Sequence, residues 1–517
     1  MVTYVNDLRL SELATGEGSG TWGTTTNTNL ELIGEALGYG TQNCFSSDAN
    51  ATTTVADGST DPARAMYFKV TSSATLSATR ELTIAPNTVN RVMIIENATT
   101  GGRTITIKQG SGATVDVPNA QVAILYMDGA GSGAAVTTVA DLSAISVALK
   151  ENNSIWIGSD PSGTTSAAQY NVALGVNALD AITTSDSSTA IGHNALSALT
   201  TGGSNTAVGE AALLATTTGN TNIAVGGRAL TTNTVGDRNT AVGYQSLYTL
   251  NPAGNADMYN VAVGYSSGYY LTTGVHNVLI GGLTGFEITT GQNNVALGYR
   301  AGGGLSAADM TGTHNISIGN DAGGRLTSGE DNIFMGYAAG TQHTTGSKNV
   351  FLGIESGEAS TTAEKNIGIG YRALEALTTA QMNVAVGSYA LDTNTTGERN
   401  TVLGHSALAG NVAGDGSTAV GFQALLAQNP SGNVDMYNVA VGYEAGTDLT
   451  TGKHNTFVGS LAGEKTTTAE YGVAVGYKAG GSNAEATGNY NTAVGYTALQ
   501  NATTAGSNTA IGGFAMQ

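Results

Sequence analysis

The chain has 517 residues, 73 of them glycine and six proline, with 11% charged and 6% aromatic residues. A net charge of −19, from 38 acidic against 19 basic side chains, argues against nucleic-acid binding and against docking on an anionic membrane. The 40% hydrophobic content, much of it β-branched, argues against disorder, and glycine without a period of three argues against collagen; a turn-dense, all-β repeat remains.

The first twenty residues, MVTYVNDLRLSELATGEGSG, have no basic n-region and no apolar h-region. No apolar run approaches the ~20 residues needed to cross a bilayer. The expectation is a protein made in a cytosol and not inserted in a membrane. Cys44 is the only cysteine, so no disulfide forms within the chain. Within residues 1–40, Trp22 lies in a TWG tripeptide, and Leu30, Ile33 and Leu37 follow at helical spacing. Asn27, Thr28 and Asn29 are the candidate caps and Gly38 the stop. Residues 41–136 predict a small β-domain, because LTIAP, RVMIIE, RTITIKQ, ATVDVP and QVAILYMD are apolar or alternating runs between turn signals. Asn97–Gly102 reads as a hairpin loop. Residues 137–153 are a linker with room for one helical turn.

From residue 154 onward the chain repeats. Aligned on N-x-A-[VIL]-G, the first position falls at 171, 188, 205, 222, 239, 260, 277, 294, 315, 332, 349, 366, 383, 400, 417, 438, 455, 472, 491 and 508. Fifteen of the 19 spacings are 17, and a degenerate copy, SIWIG, precedes the first at 154–158, giving about 21 coils. The fifth position is always glycine (Gly175, Gly192, Gly209, Gly226, Gly243, Gly264 and onward), which marks a backbone site needing positive φ or close approach. Positions two and four share one strand face, and position three, most often alanine, faces the other way. The eighth position is small, and the ninth is leucine or glycine in blocks. The first is asparagine in 17 copies, suited to a stacked ladder or a turn.

Each coil therefore predicts two short strands and two turns, stacked in register with its neighbours. Twenty-one coils at about 4.8 Å per strand reach roughly 100 Å. A thin coil has one interior, yet both strand faces are apolar or small, so a second copy of the chain is the expected cover for the spare face. A longer duplication is also present: GNADMYNVAVGY (254–265) returns as GNVDMYNVAVGY (432–443).

The N-[VT]-A-[VI]-G-Y-x-A-L pattern resembles the head repeats of trimeric autotransporter adhesins. It resembles still more the NTAVGYQAL…TTG arrays of bacteriophage tail fibres. That resemblance covers about 70% of the chain, from residue 154 to 517. It implies a left-handed parallel β-roll, a homotrimer and a role in surface attachment. The adhesins carry a signal peptide and a membrane β-barrel that have no counterpart here. Phage fibres of this kind often end in a chaperone segment that is cleaved away, and here the last residues, Met516 and Gln517, fall inside a coil. Removal of such a segment and capping by another protein are both open. The stretch YVNDLRL…SGTWGTTTNTNLELI resembles the start of structural and fibre proteins of marine tailed phages. It implies a virion-docking segment in which Trp22, Leu30, Ile33 and Leu37 make the contact.

No metal, phosphate-loop or nucleophile motif appears, and no cofactor or catalytic residue is expected. The six histidines are scattered, although His276, His314 and His454 share the corner before a repeat asparagine, where solvation is favoured over ion binding. Carboxylate pairs such as Glu330–Asp331 sit in turns, which makes glycan hydrolysis the least favoured reading. Tyrosines at the sixth position predict a self-packing ladder ahead of a sugar platform. Insertions before Asn260, Asn315, Asn438 and Asn491 are the places where binding would emerge from a rigid scaffold. Tyr248, Asp257, Met258 and Tyr259, with Asp435, Met436 and Tyr437, are the candidate surface contacts.

The leading expectation is an all-β trimeric phage fibre located on the virion. It would dock to other virion proteins by its N-terminus and extend a rod toward a glycan or protein of the host surface. A purely structural virion appendage is the alternative, and a depolymerising tailspike a more distant third.

Overall fold

The structure is a computed structural model that describes residues 3–5, 8–12, 19–139, 149–158, 167–305, 308–481 and 485–516. Two compact units are present, Met1–Val147 and Ala148–Gln517.

In the first unit a short antiparallel pair, β1 (Thr3–Val5) and β2 (Leu10–Glu12), precedes one helix, α1 (Trp22–Ala36). The helix starts earlier than the capping signals suggest: the Thr25 amide donates to the Thr21 carbonyl (3.0 Å), and the Thr26 hydroxyl donates back to the Trp22 carbonyl (2.8 Å). Asn29 is not a cap. Its side chain accepts from the Ser11 amide (3.1 Å) and donates to the Ser11 carbonyl (3.0 Å), tying β2 to the helix. Gly38 does end the helix, its amide donating to the Glu35 carbonyl.

The chain then winds between two sheets. Strands β3 (Tyr39–Phe45), β5 (Tyr67–Thr75), β7 (Asn90–Thr100), β10 (Val122–Asp128) and β11 (Val136–Thr138) form one sheet; β4 (Ala51–Thr54), β6 (Arg80–Ala85), β8 (Ile105–Lys108) and β9 (Val115–Val117) form the other. The pairs β3–β5, β5–β7, β4–β6 and β6–β8 are parallel. Phe45, Phe68, Leu82, Met93, Ile95, Ile107 and Leu125 fill the space between. The expected hairpin at Asn97–Gly102 is absent: Asn97–Thr100 belong to β7, and the chain crosses there to the opposite sheet. Buried Asn97 makes this possible, donating to the Arg103 carbonyl (3.0 Å) and the Val117 carbonyl (2.9 Å). Of the expected linker, residues 140–148 lie outside the described residues, and Leu149–Glu151 form strand β12.

The second unit is a parallel β-solenoid. Strand β12 pairs antiparallel with β13 (Ser154–Gly158), and twenty parallel strands follow in register, from Val172–Gly175 to Thr509–Ile511. Trp156 takes the third position of its coil, where alanine usually stands, and is buried at this end of the core. Each coil contributes one continuous strand and not two. The other side pairs only locally, at Gly414–Asp415 with Val434–Asp435 and at four isolated bridges among the described residues. There the threonine hydroxyls hold the stack instead, as when Thr344 Oγ1 donates 3.0 Å to the Thr361 carbonyl of the next coil.

The asparagine column is the interior spine. Asn366 shows the pattern: its amide N–H and its Nδ2 both donate to Asn349 Oδ1 (3.0 and 3.1 Å), and Nδ2 also donates to the Ala380 carbonyl (2.9 Å). Each asparagine of the column satisfies the one before it with a neutral side chain, as Asn383 and Asn400 do in turn. Where Ser417 interrupts the column, Gln428 reaches in and accepts from Asn438 Nδ2 at 2.9 Å. The fifth-position glycine has a steric cause. Gly264 sits at φ +138°, and a Cβ there would meet the Gly281 carbonyl oxygen at 2.3 Å. The ninth-position blocks are volume compensation: a Cβ on Gly340 or Gly357 would collide with the buried rings of Phe334 or Phe351 at the third position.

In the strand of most coils the alanine at position three faces inward and the larger residues at positions two and four face outward. Val402 is fully buried between Thr401 and Leu403, and Leu403 is 50% exposed. Ile223, Val225, Ile280, Leu297 and Ile369 repeat this exposure along the outer face of the sheet.

Candidate functional site

The helix α1 presents the residues expected to dock. Trp22 and Leu37 are 68% and 70% exposed, and Leu30 is exposed beside them, while Leu32 and Ala36 are the buried side. Ile33 is half-buried and lines a cleft of about 290 Å³ with Leu8, Leu37, Met66 and Val92. Fully buried Arg64 underlies it, donating to the carbonyls of Leu8, Ala56 (2.6 Å) and Ser59 (2.9 Å) and lying 3.6 Å from Glu35. That clamp joins the turn before β2, the helix and the segment after β4 beneath the exposed stripe.

In the solenoid, the long coils separate into anchors and displayed residues. Met258 and Met436 are not surface contacts; both are buried, plugging the core beneath the inserted loops. Alternation places their neighbours outside: Asp257, Tyr259, Asp435 and Tyr437 are exposed. Tyr248 is half-buried in a stack, 5.0 Å from the Tyr269 ring, which lies 5.3 Å from Phe286.

The sixth-position rings also stack, Tyr244 on Tyr265 (5.9 Å) and Tyr477 on Tyr496 (5.5 Å), so their faces cover one another. His276 packs on Tyr259 (5.6 Å), and His454 lies between Tyr437 (5.7 Å) and Tyr471 (4.8 Å); His314 lies 3.8 Å from Asp331.

Two arrangements were not foreseen. His343 is completely buried, its ring between Phe334 and Phe351, with Nδ1 2.9 Å from Ser360 Oγ and Nε2 2.8 Å from the Gly346 carbonyl. Burial pushes its pKa down to about 4, only partly opposed by the Gly346 carbonyl. It stands at the twelfth position, where other coils most often have leucine or a neutral polar residue such as Asn394 or Ser360, so coil phase was the available signal. The second is an open groove lined by Gln342, Glu358, Glu375, Asp392 and Thr393. Carboxylate oxygens of Glu355, Glu358 and Glu375 lie within 4.8 Å of one another, but Arg372 sits among them, 2.6 Å from Glu355 and 3.6 Å from Glu375. Burial first, then Glu355 and Glu375, raise Glu358 above the usual carboxylate range; burial likewise raises Asp392. The exposed pair Glu330–Asp331 lies in a turn, where the Glu330 amide donates to Ser347 Oγ.

No helix among the described residues is long and apolar enough to cross a membrane. No protein-family model matches the chain, and no curated protein matches it.

Proposed function

We propose that the protein is the subunit of a homotrimeric virion fibre that docks by its N-terminal unit and attaches to a host surface through its solenoid. The observation that carries this reading is the outer face of the 22-stranded sheet, where isoleucine, valine and leucine stand half-exposed on coil after coil. Contiguous apolar surface on this scale belongs in an interface. A second and third copy of the same face match it in length and in period, and closed symmetry leaves no copy uncovered. The exposed Trp22, Leu30 and Leu37 stripe on its clamped base supports docking of the other unit. Aspartates and tyrosines displayed on the long coils support attachment over a purely structural role.

Light scattering of the purified chain tests the assembly: three chains per particle are expected, and Leu403→Lys, placing a charge on the apolar face, converts it to monomer. Binding of the purified protein to host cells tests attachment. Particle microscopy with the protein labelled tests its place on a virion.

A further inference from the structure

We propose that the gap at Gly472 is an internal binding site for a small primary amide, whose carboxamide completes the asparagine column there. The inference stands apart from the attachment reading above. In an unbroken stretch each column carboxamide works in both directions. The Asn366 oxygen accepts from the Asn383 amide (3.0 Å) and from Asn383 Nδ2 (3.2 Å). Asn366 Nδ2 in turn donates to Asn349 Oδ1 (3.1 Å) and to the Ala380 carbonyl (2.9 Å).

From Asn171 onward three coils lack that asparagine, at Ser188, Ser417 and Gly472. The Ser188 hydroxyl itself accepts from the Asn205 amide (3.3 Å). At Ser417 a carboxamide arrives from elsewhere in the coil: Gln428 Oε1 accepts from Asn438 Nδ2 (2.9 Å), and Gln428 Nε2 donates to Asn411 Oδ1 (3.3 Å). Buried Gly472 has no side chain to offer. Its own amide keeps the bond to Asn455 Oδ1 (2.8 Å). The Asn491 amide, which elsewhere in the column meets a side-chain oxygen, has no partner among the described residues. Asn491 Nδ2 turns instead to the carbonyls of Gly488 (3.0 Å) and Ala505 (2.9 Å), and the column resumes where Asn491 Oδ1 accepts from the Asn508 amide (3.0 Å).

A cavity of about 30 Å³ lies at this break, with Asn455, Gly472, Gly488 and Asn491 on its polar side. The inward positions of the coil are both small, Ala474 at the third and Gly480 at the ninth, so no large side chain of this coil closes it. One water needs roughly 10–15 Å³ of such space, which leaves room for about two waters or one acetamide-sized molecule. The polar groups match an amide: its oxygen would accept from the Asn491 N–H, and its N–H groups would donate to Asn455 Oδ1 and the Gly488 carbonyl. No charged side chain lines the cavity, and Phe457 and Leu499 complete its wall, so a neutral ligand is favoured over an ion. Gln428 shows that the column accepts a carboxamide supplied from another position. Occupancy ties Asn455 to Asn491 across the broken step.

Hydrogen exchange of the full-length protein, read by mass spectrometry over residues 472–495, tests the site locally with acetamide as the probe. Exchange there is expected to slow about ten-fold once acetamide reaches ten times its dissociation constant, with residues 366–400 unchanged. Gly472→Asn, which carries the carboxamide covalently, should start protected and give no response. N,N-dimethylacetamide has no N–H to donate and should leave the wild type unchanged, a comparison that holds even if the variant misfolds. No slowing at 472–495, equal slowing by both amides, or an undiminished response in Gly472→Asn overturns the proposal. So does a response that appears only after Asn483→Ala, because a side chain of the chain itself would then be the occupant.

Discussion

Both units wind a parallel chain, but they bury different things. In the first, Tyr39 lies opposite Tyr67 and Tyr67 opposite Ile94, offsets of 28 and 27 residues, and the wide turn encloses phenylalanine, methionine and isoleucine between two sheets. In the solenoid the offset is 17 in most coils, and the interior holds alanine, leucine and a hydrogen-bonded column of asparagine. The wide coil depends on apolar volume. The narrow coil has little volume to bury and depends on every polar group finding its partner in the next turn.

Each unit contains one tryptophan, Trp22 and Trp156, so single-tryptophan variants report the two unfolding transitions separately. The largest effect is expected from Phe68→Ala, which leaves a cavity between the sheets and should cost the first unit about 3–5 kcal/mol in urea unfolding while sparing the Trp156 transition. Asn366→Ala is the converse. It removes few apolar contacts but strands the Asn383 amide and the Ala380 carbonyl, and about 3 kcal/mol should be lost from the solenoid transition alone. A small loss there would mean that the narrow coil, too, is held mainly by packing.

Acid should separate the units further. His343 titrates near 4 in the folded solenoid against about 6.5 when unfolded, so the unfolded chain binds the extra proton between those values. Stability is full above pH 6.5 and falls toward pH 4, by about 3 kcal/mol from this residue. His343→Asn copies Asn394, which donates to the Gly397 carbonyl at 2.9 Å, and should flatten that part of the pH profile. The smallest effect is a gain. Gly472 breaks the asparagine column with no replacement side chain of its own, and a Cβ there would meet only Asn455 Oδ1 at 3.0 Å and the Asn491 carbonyl oxygen at 3.9 Å. Gly472→Asn should raise solenoid stability by about 1 kcal/mol. Ser417→Asn should lower it, because Gln428 already fills that gap, and equal effects of the two changes would contradict the column as a spine.

Much of this was legible from spacing. The 17-residue period determined the parallel in-register stack, the glycine column determined where coils touch, and the four longer spacings located the loops. The first unit was less legible. Its strand β3 is largely polar and β5 ends in threonine and serine, and the glycines at 101–102 suggested a reversal where Asn97 instead carries the chain across the sheets. At the long coils, the sequence singled out Asp257, Met258 and Tyr259 together; the fold sends the methionine inward and its neighbours out.

The sequence by itself determined the period, the strand and the two faces of each coil. Which face became the interior was decided by the tertiary structure, for a reason of volume. Where a ninth-position leucine already fills the interior of a 17-residue turn, the third position turns in most often as alanine; over a ninth-position glycine it can be phenylalanine, as at Phe334, Phe351 and Phe457. The second- and fourth-position valine, isoleucine and leucine are left outside.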